Sequence, residues 1–379
     1  NAQPGIAAAI GLDGGLDSNE VDITVRLNDR PVLAGRLFAD NHGVREIGQE
    51  RVGMNLRLEN ALGLAERFAL DTEEAGGSSL LSPLLSLPVG SDGMRASVST
   101  TSARYRAKRA GASLQLSGRY DRWQGTLLQP ILRGPLALRA EYALQRTEYR
   151  DSTIFGNLQN RRIDAGLFRL EGIARSISGT TRLQLDIERG QADLSGNSSD
   201  MATDGASSRI HGRFWRLRWR IGREAAYGGD TLVLRASGQF ADRNLDATQQ
   251  FALGGPNGVR AYPTAEALGD SGWLATAEWR HRLDDECSAQ IFLDSGGIQR
   301  NSRPWTNQRN RNELSGLGAG MRWQLPDRLR VTFEAAHQLG SNPGRNPDGT
   351  DSDGRSSRWR ASGPRQDRSR AAPWRPAAA

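Results

Sequence analysis

The chain has 379 residues, 37% hydrophobic and 25% charged, with a formal net charge of +7 and a mean hydropathy of −0.58. No stretch reaches the ~18–20 apolar residues of a membrane-crossing helix, which excludes helical membrane proteins but not barrels, whose strands need only ~9–11 alternating residues. A single cysteine, Cys287, excludes an internal disulfide, and four scattered histidines (His42, His211, His281, His337) with no paired spacing leave no metal site and no cofactor to expect.

The chain begins at Asn1 with neither an initiator methionine nor a signal peptide, and reads as a mature segment or a cut fragment. Residues 1–30 hold one strand-like piece, Val21 to Leu27, after the glycine-rich run Gly11 to Gly15; they read as the end of a preceding small domain plus a linker. Beyond them, alternation with period two dominates. Val52, Met54, Leu56 and Leu58 alternate with Gly53, Asn55, Arg57 and Glu59, and Trp215, Leu217, Trp219 and Ile221 alternate with Arg216, Arg218 and Arg220. Successive side chains of a strand point to opposite faces, so each such segment has one apolar and one polar face.

Sixteen segments follow this pattern: 33–40, 50–60, 63–72, 78–88, 94–106, 118–132, 135–147, 161–174, 178–189, 209–222, 230–241, 272–283, 286–296, 314–324, 329–339 and a weak one near 355–361. A soluble sandwich shows the same alternation. Segments of ten residues or more, charged polar faces, and Trp215, Trp219, Trp273, Trp279 and Trp323 at strand positions favour an all-β transmembrane antiparallel barrel. An even strand number lets such a sheet close on itself. Short turns, such as 60–62 and 133–135, alternate with longer polar stretches, such as 151–160, 190–208 and 299–311. The barrel is assigned to residues 31–361 and a disordered Arg/Pro/Ala-rich tail to 362–379. The run from Ser357 onward resembles no barrel strand and has the look of a shifted reading frame, so the last strand is expected to be too short to seal against the first.

The longest gap, residues 242–271, carries Phe251, Leu253, Val259 and Tyr262 around Gly254, Gly255, Pro256 and Gly258. A long loop with an apolar, glycine-kinked centre reads as a folded tongue, and the surface open to it is the barrel interior. Arg260 sits at its tip. In the segment 286–296, Ala289, Ile291, Leu293 and Ser295 suit lipid, which turns Asp294 toward the lumen. A buried arginine needs a carboxylate, so two readings stand side by side: an Arg260–Asp294 pair, or a solvated loop arginine.

Leu253-Gly254-Gly255 followed by Val259-Arg260-Ala261-Tyr262 resembles the signature of two-partner secretion transporters, the TpsB type, also called haemolysin secretion/activation proteins of the ShlB/FhaC/HecB kind. Phe292, Asp294 and Gly296 resemble the companion motif on a barrel strand, and Gly269, Asp270 and Gly272 resemble the turn that returns the loop to the wall. Asp40-Asn41-His42-Gly43 resembles the start of the family's barrel. The resemblance implies a sixteen-stranded barrel behind two periplasmic POTRA domains, of which residues 1–30 would be the remnant of the second. It further implies a loop folded into the pore and an Arg260–Asp294 pair. Ala261 stands where the family usually has glycine, which restricts the backbone if a positive φ is needed there.

The function implied is export of a large secreted exoprotein, a haemolysin or filamentous adhesin of the TpsA type, from the outer membrane of a Gram-negative cell. Its surroundings would be outer-membrane lipid and lipopolysaccharide, and its own insertion would use the barrel-assembly machinery. No nucleotide-binding loop or catalytic triad is present, so an enzyme is not expected. The alternatives are an insertase of the same superfamily, a plain solute porin, and a basic nucleic-acid binder using Arg213 to Arg220. The last is the weaker reading, because that stretch has period two and the arginines are spread as a lining rather than clustered.

Overall fold

The structure, a computed structural model, describes residues 6–14, 21–29, 32–108, 112–325, 329–340 and 355–363. Strands β1 (Ile6–Gly14) and β2 (Val21–Asp29) form a separate antiparallel hairpin, Ile6 facing Asp29 and Gly14 facing Val21. Sequence reading found only the second of these. In the first, Ala7, Ala8 and Ala9 give no contrast between faces for a period-two signal to register.

Sixteen strands close into one antiparallel barrel. They are β3 (Leu33–Asp40), β4 (Arg51–Glu59), β5 (Arg67–Ala75), β6 (Ser78–Val89), β7 (Met94–Arg106), β8 (Ser117–Leu132), β9 (Leu136–Thr153) and β10 (Gly156–Ser176). Then come β11 (Gly179–Asp193), β12 (Gly212–Tyr227), β13 (Asp230–Ala241), β16 (Ser271–Arg282), β17 (Cys287–Gln299), β18 (Arg311–Gln324), β19 (Arg330–Leu339) and β20 (Arg355–Ser362). Each strand pairs with its sequence neighbours, and β20 returns to β3 through Arg360↔Asp40, Ala361↔Ala39 and Ser362↔Phe38. Closure leaves the ring without an open edge, the condition for a sheet to stand in hydrocarbon.

The expectation of an unsealed last strand is therefore corrected. The segment Arg355–Ser362 carries no apolar run, but its pairing with β19, from Arg330↔Ser362 to His337↔Arg355, supplies the backbone bonds. Trp359 faces outward, and Arg358 and Ser362 are buried inward. The tail beyond residue 363 lies outside the described residues.

Lengths on the loop side also differ from the sequence reading. Strands β9 and β10 run to 18 and 21 residues, so the stretch 151–160, read as a loop, is a turn at Ile154 and Phe155. The stretch 190–208 begins as strand, up to Asp193, and then forms helix α1 (Ser198–Ala206), whose first turn Asn197 caps by accepting from the backbone N–H of Ser199 and Asp200. Outside the ring, Leu144, Tyr142, Trp279 and Ile291 stay exposed, which only a lipid surround makes tolerable. The inward face buries Asp186, Glu188, Arg216, Gln239, Glu278, Gln290 and Asp294.

Candidate functional site

Loop 242–270 leaves β13 and enters the ring. Asp246 accepts from the backbone N–H of Thr248 and starts a short 3-10 turn, Ala247–Gln249. Strands β14 (Phe251–Ala252) and β15 (Leu268–Gly269) then pair and hold the base of a tongue. The tongue folds on itself through Val259 N–H to Leu253 O, 2.8 Å, Gly255 N–H to Tyr262 O, 3.1 Å, and Tyr262 N–H to Val259 O, 3.1 Å. Gly255 has φ +110°, a conformation that side chains rarely adopt. A Cβ on Gly254 would lie 2.2 Å from the carbonyl oxygen of Pro263, and one on Gly258 2.1 Å from that of Leu253, so both positions are closed to any larger residue. Leu253, Val259, Ala261 and Tyr262 are all at most 1% exposed and pack with Phe292, Leu314, Ile298 and Ala336 of the wall.

Arg260 projects from the tip into a polar socket. Its Nε and Nη2 donate to the two oxygens of Asp294 at 2.8 and 2.9 Å, and its backbone N–H donates to the same carboxylate at 3.1 Å. Nη1 reaches Glu278 at 2.8 Å and Glu334 at 3.1 Å. The guanidinium carbon lies 3.3 Å from the ring centroid of Phe292, a close cation–π contact. Thr276 Oγ1 donates to Asp294 at 2.9 Å and completes that carboxylate's shell. Burial opposes the charge on Arg260, but Asp294, Glu334 and Glu278 outweigh it and hold the guanidinium above its usual range.

The last two strands, β19 and β20, grip the tip's backbone. Ser356 Oγ donates to Arg260 O at 2.7 Å, Arg358 Nε to the same oxygen at 3.2 Å, Arg358 Nη2 to Tyr262 O, and Gln338 Nε2 to Ala261 O at 3.2 Å. Ala261 is not among the described residues with positive φ, so the restriction foreseen for a non-glycine residue there does not arise. Room for its methyl comes from the wall. A Cβ on Gly316 would lie 2.5 Å from the Cβ of Ala261, and one on Gly318 2.2 Å from the ring of Phe292.

The loop's return is tied at Asp270, which is fully buried. Its carboxylate accepts from the N–H of Leu245, 3.0 Å, the side-chain amide of Gln250, 3.0 Å, and the N–H of Ser302 in the neighbouring loop, 2.7 Å. Burial pushes this carboxyl upward and those donors pull it back. Gly269 and Gly272 lie where a Cβ would meet the backbone oxygens of Gln299, 2.5 Å, and Gly297, 2.8 Å. A Cβ on Gly296 would meet Leu253 of the tongue at 2.4 Å.

Sequence reasoning named Arg260, Asp294 and Phe292 but missed Glu278, Glu334, Gln338, Ser356 and Arg358. Strand parity held a signal for the first two. Glu278 falls in phase with Thr276 and Arg280 on one face of β16, and Glu334 in phase with Thr332 on β19. No comparable signal marked Ser356 or Arg358, whose segment was not read as a sound strand.

The profile of the family "Haemolysin secretion/activation protein ShlB/FhaC/HecB" matches residues 19–323. The heme/hemopexin transporter protein HuxB of Haemophilus influenzae is 24% identical over 358 residues, a match covering 90% of this chain and 63% of HuxB, so the chain spans less than two thirds of the curated relatives it matches. CdiB from Escherichia coli superimposes with a TM-score of 0.74 at 17% identity, over 94% of this chain and 67% of that one. BamA from Haemophilus ducreyi lacking POTRA domains 1–3 does so with a TM-score of 0.60 at 10% identity, over 94% and 75%. These likenesses in structure speak for the fold. With four fifths of its length inside the matched profile and a closed sixteen-stranded ring, the chain belongs to the haemolysin secretion/activation family, whose members are outer-membrane β-barrel transporters of Gram-negative bacteria.

Proposed function

We propose that this chain is the outer-membrane pore of a two-partner secretion pathway and conducts a large secreted exoprotein of the TpsA type. The tongue at residues 251–269 is its gate. One observation carries this reading: a loop filling the lumen is pinned through a single side chain, Arg260, to three carboxylates on three different strands. A solute porin has no use for such a latch. A passing polypeptide, by contrast, needs the lumen cleared and then resealed, and a bidentate charge-assisted pair combines strong holding with a defined geometry.

The exoprotein is a haemolysin or filamentous adhesin, and the name of HuxB adds a heme/hemopexin-related carrier to the candidates. The chain acts as a conduit and not as an enzyme, standing in outer-membrane lipid and lipopolysaccharide after insertion by the barrel-assembly machinery. Residues 1–30 are the end of a POTRA-like domain that would present the exoprotein in extended form, as strand addition to a sheet edge. The antiparallel hairpin of β1 and β2 supports this assignment.

The test is Arg260→Ala in cells that express the exoprotein. Exoprotein in the medium is expected to fall at least tenfold while the barrel keeps its heat-modifiable mobility in gels. Undiminished export would sink the latch. The rival reading, insertion of other barrels, predicts instead that assembled porins decline when the chain is deleted; secretion predicts normal porins and a missing exoprotein.

A further inference from the structure

One stretch of the outer wall departs from the plain lipid-facing pattern. Read across strands β8 to β12, the outward row Leu127, Tyr142, Phe168, Ile187 and Leu217 is wholly apolar. The next row toward the long-loop rim is Gly125, Leu144, Gly166, Arg189 and Trp215. Gly125 has nothing within 4 Å of a built Cβ, and Gly166 meets only a methyl of Leu144 at 3.7 Å. Two side-chain-free positions therefore flank Leu144, and Arg189 lies directly opposite Gly166 across the strand pair. They form part of an outward-facing hollow of about 1050 Å³ that also takes in Trp123, Arg146, Asp164 and Arg213.

The charges of this hollow are unequal. Asp164 is bound by Arg146 at 2.6 Å and by Arg162 at 3.4 Å. Among the described residues no carboxylate lies within ion-pair distance of Arg189 or Arg213, both of which are exposed. Glu148 also lines the hollow, at its outer end one row beyond Arg213, opposite Arg162 and Asp121. Six residues beyond the row of Arg189, about 20 Å along the strand, and four beyond the row of Arg213, about 13 Å, Arg104, Arg119 and Arg150 make a second basic row, with Asp121 held by Arg119. Long loops mark this rim as the outer side of the membrane.

We propose that this hollow is a binding site for a phosphorylated glycolipid of the outer leaflet. An acyl chain lies against Gly125, Leu144 and Gly166, a phosphate sits between Arg189 and Arg213, and the saccharide extends toward the second arginine row. Exposed arginines at the edge of the apolar band match phosphate in charge and in forked geometry. The distance between the two basic rows exceeds the reach of a simple phospholipid headgroup and suits a lipid with an extended phosphorylated saccharide. The inference depends on the barrel standing in the outer membrane and is independent of what the pore conducts.

The experiment is native mass spectrometry of the whole chain, purified in detergent, titrated separately with a bis-phosphorylated glucosamine lipid, with its dephosphorylated form, and with phosphatidylglycerol. The phosphorylated glycolipid is expected to bind at least tenfold more tightly than either of the others. Arg189→Gln with Arg213→Gln, and separately Gly166→Leu, should each weaken it at least tenfold, the second without any change in charge. Arg189→Lys with Arg213→Lys, which keeps the charge and loses the fork, should bind more weakly than wild type and more tightly than the glutamine variant, and heat-modifiable mobility reports that each variant is folded. Equal binding by wild type and the glutamine variant would overturn the site, and equal binding of phosphatidylglycerol would overturn its assignment to a glycolipid.

Discussion

At Asp294 three bonds from Arg260 and one from Thr276 converge on a single buried carboxylate. Removing one partner of such a pair leaves the other charge stranded, at a cost of about 3–5 kcal/mol. Asp294→Asn is therefore expected to loosen the tongue far more than Glu334→Gln, since Glu334 accepts only the longer 3.1 Å contact of the guanidinium. Trypsin cleavage after Arg260 in the folded barrel measures the difference; equal protection in both variants would contradict it. A reversed pair, Arg260→Asp with Asp294→Arg, should recover part of the lost protection relative to either single change. His42 offers a second prediction at this scale. Burial, with Arg358, Arg51 and Arg360 nearby, lowers its pKa to about 4 despite the opposing charge of Asp40. The unfolded chain takes up a proton near pH 6.5 that the folded one refuses, so stability from this residue is full above pH 6.5 and is lost as pH falls toward 4. The urea midpoint of the wild type should drop between pH 7.5 and 5 by more than that of His42→Gln.

On the scale of elements, β18 is the wall's concession to the tongue. Its inward face reads Gly316, Gly318 and Gly320, so nothing but backbone stands behind Phe292 and the tip. Gly318→Leu would drive a side chain into the Phe292 ring and displace the floor of the Arg260 socket. The barrel should still form, while the tongue becomes open to trypsin and export falls; a protected tongue in this variant would show that the glycine face is dispensable. These glycines were visible in the sequence only as the polar half of an alternating strand. Their purpose emerges once Ala261 is seen opposite Gly316. Helix α1 was likewise illegible, because the sequence Ser198 to Ala206 is short and polar and carries no apolar stripe.

For the whole molecule, the alternation of apolar and polar residues placed the first fifteen barrel strands in order and marked the last only weakly, because the membrane band imposes period two wherever lipid and lumen are the two neighbours. It failed where that contrast ends. In β9 beyond Leu144, Arg146, Glu148 and Arg150 point outward while Gln145, Thr147 and Tyr149 point inward, so both faces are largely polar and the strand looked like loop. The same blindness left β20 a weak segment near 355–361, whose Ser and Arg residues make a sound strand only through the partners they meet. Within the site, parity sufficed to turn Asp294 inward, but the contacts of the tip with Ser356 and Arg358 depend on ring closure across more than 90 residues of sequence.

That closure sets an order of events during biogenesis. The groups that hold the carbonyls of Arg260 and Tyr262 belong to the last barrel strand that the ribosome makes. A chain lacking that strand can carry the entire tongue, its arginine and all three carboxylates, yet leave the carbonyls of Arg260 and Tyr262 without the donors of Ser356 and Arg358. Full seating of the tip thus waits on the strand that closes the ring, so a barrel that has not yet paired β20 with β3 holds its plug less firmly than a closed one.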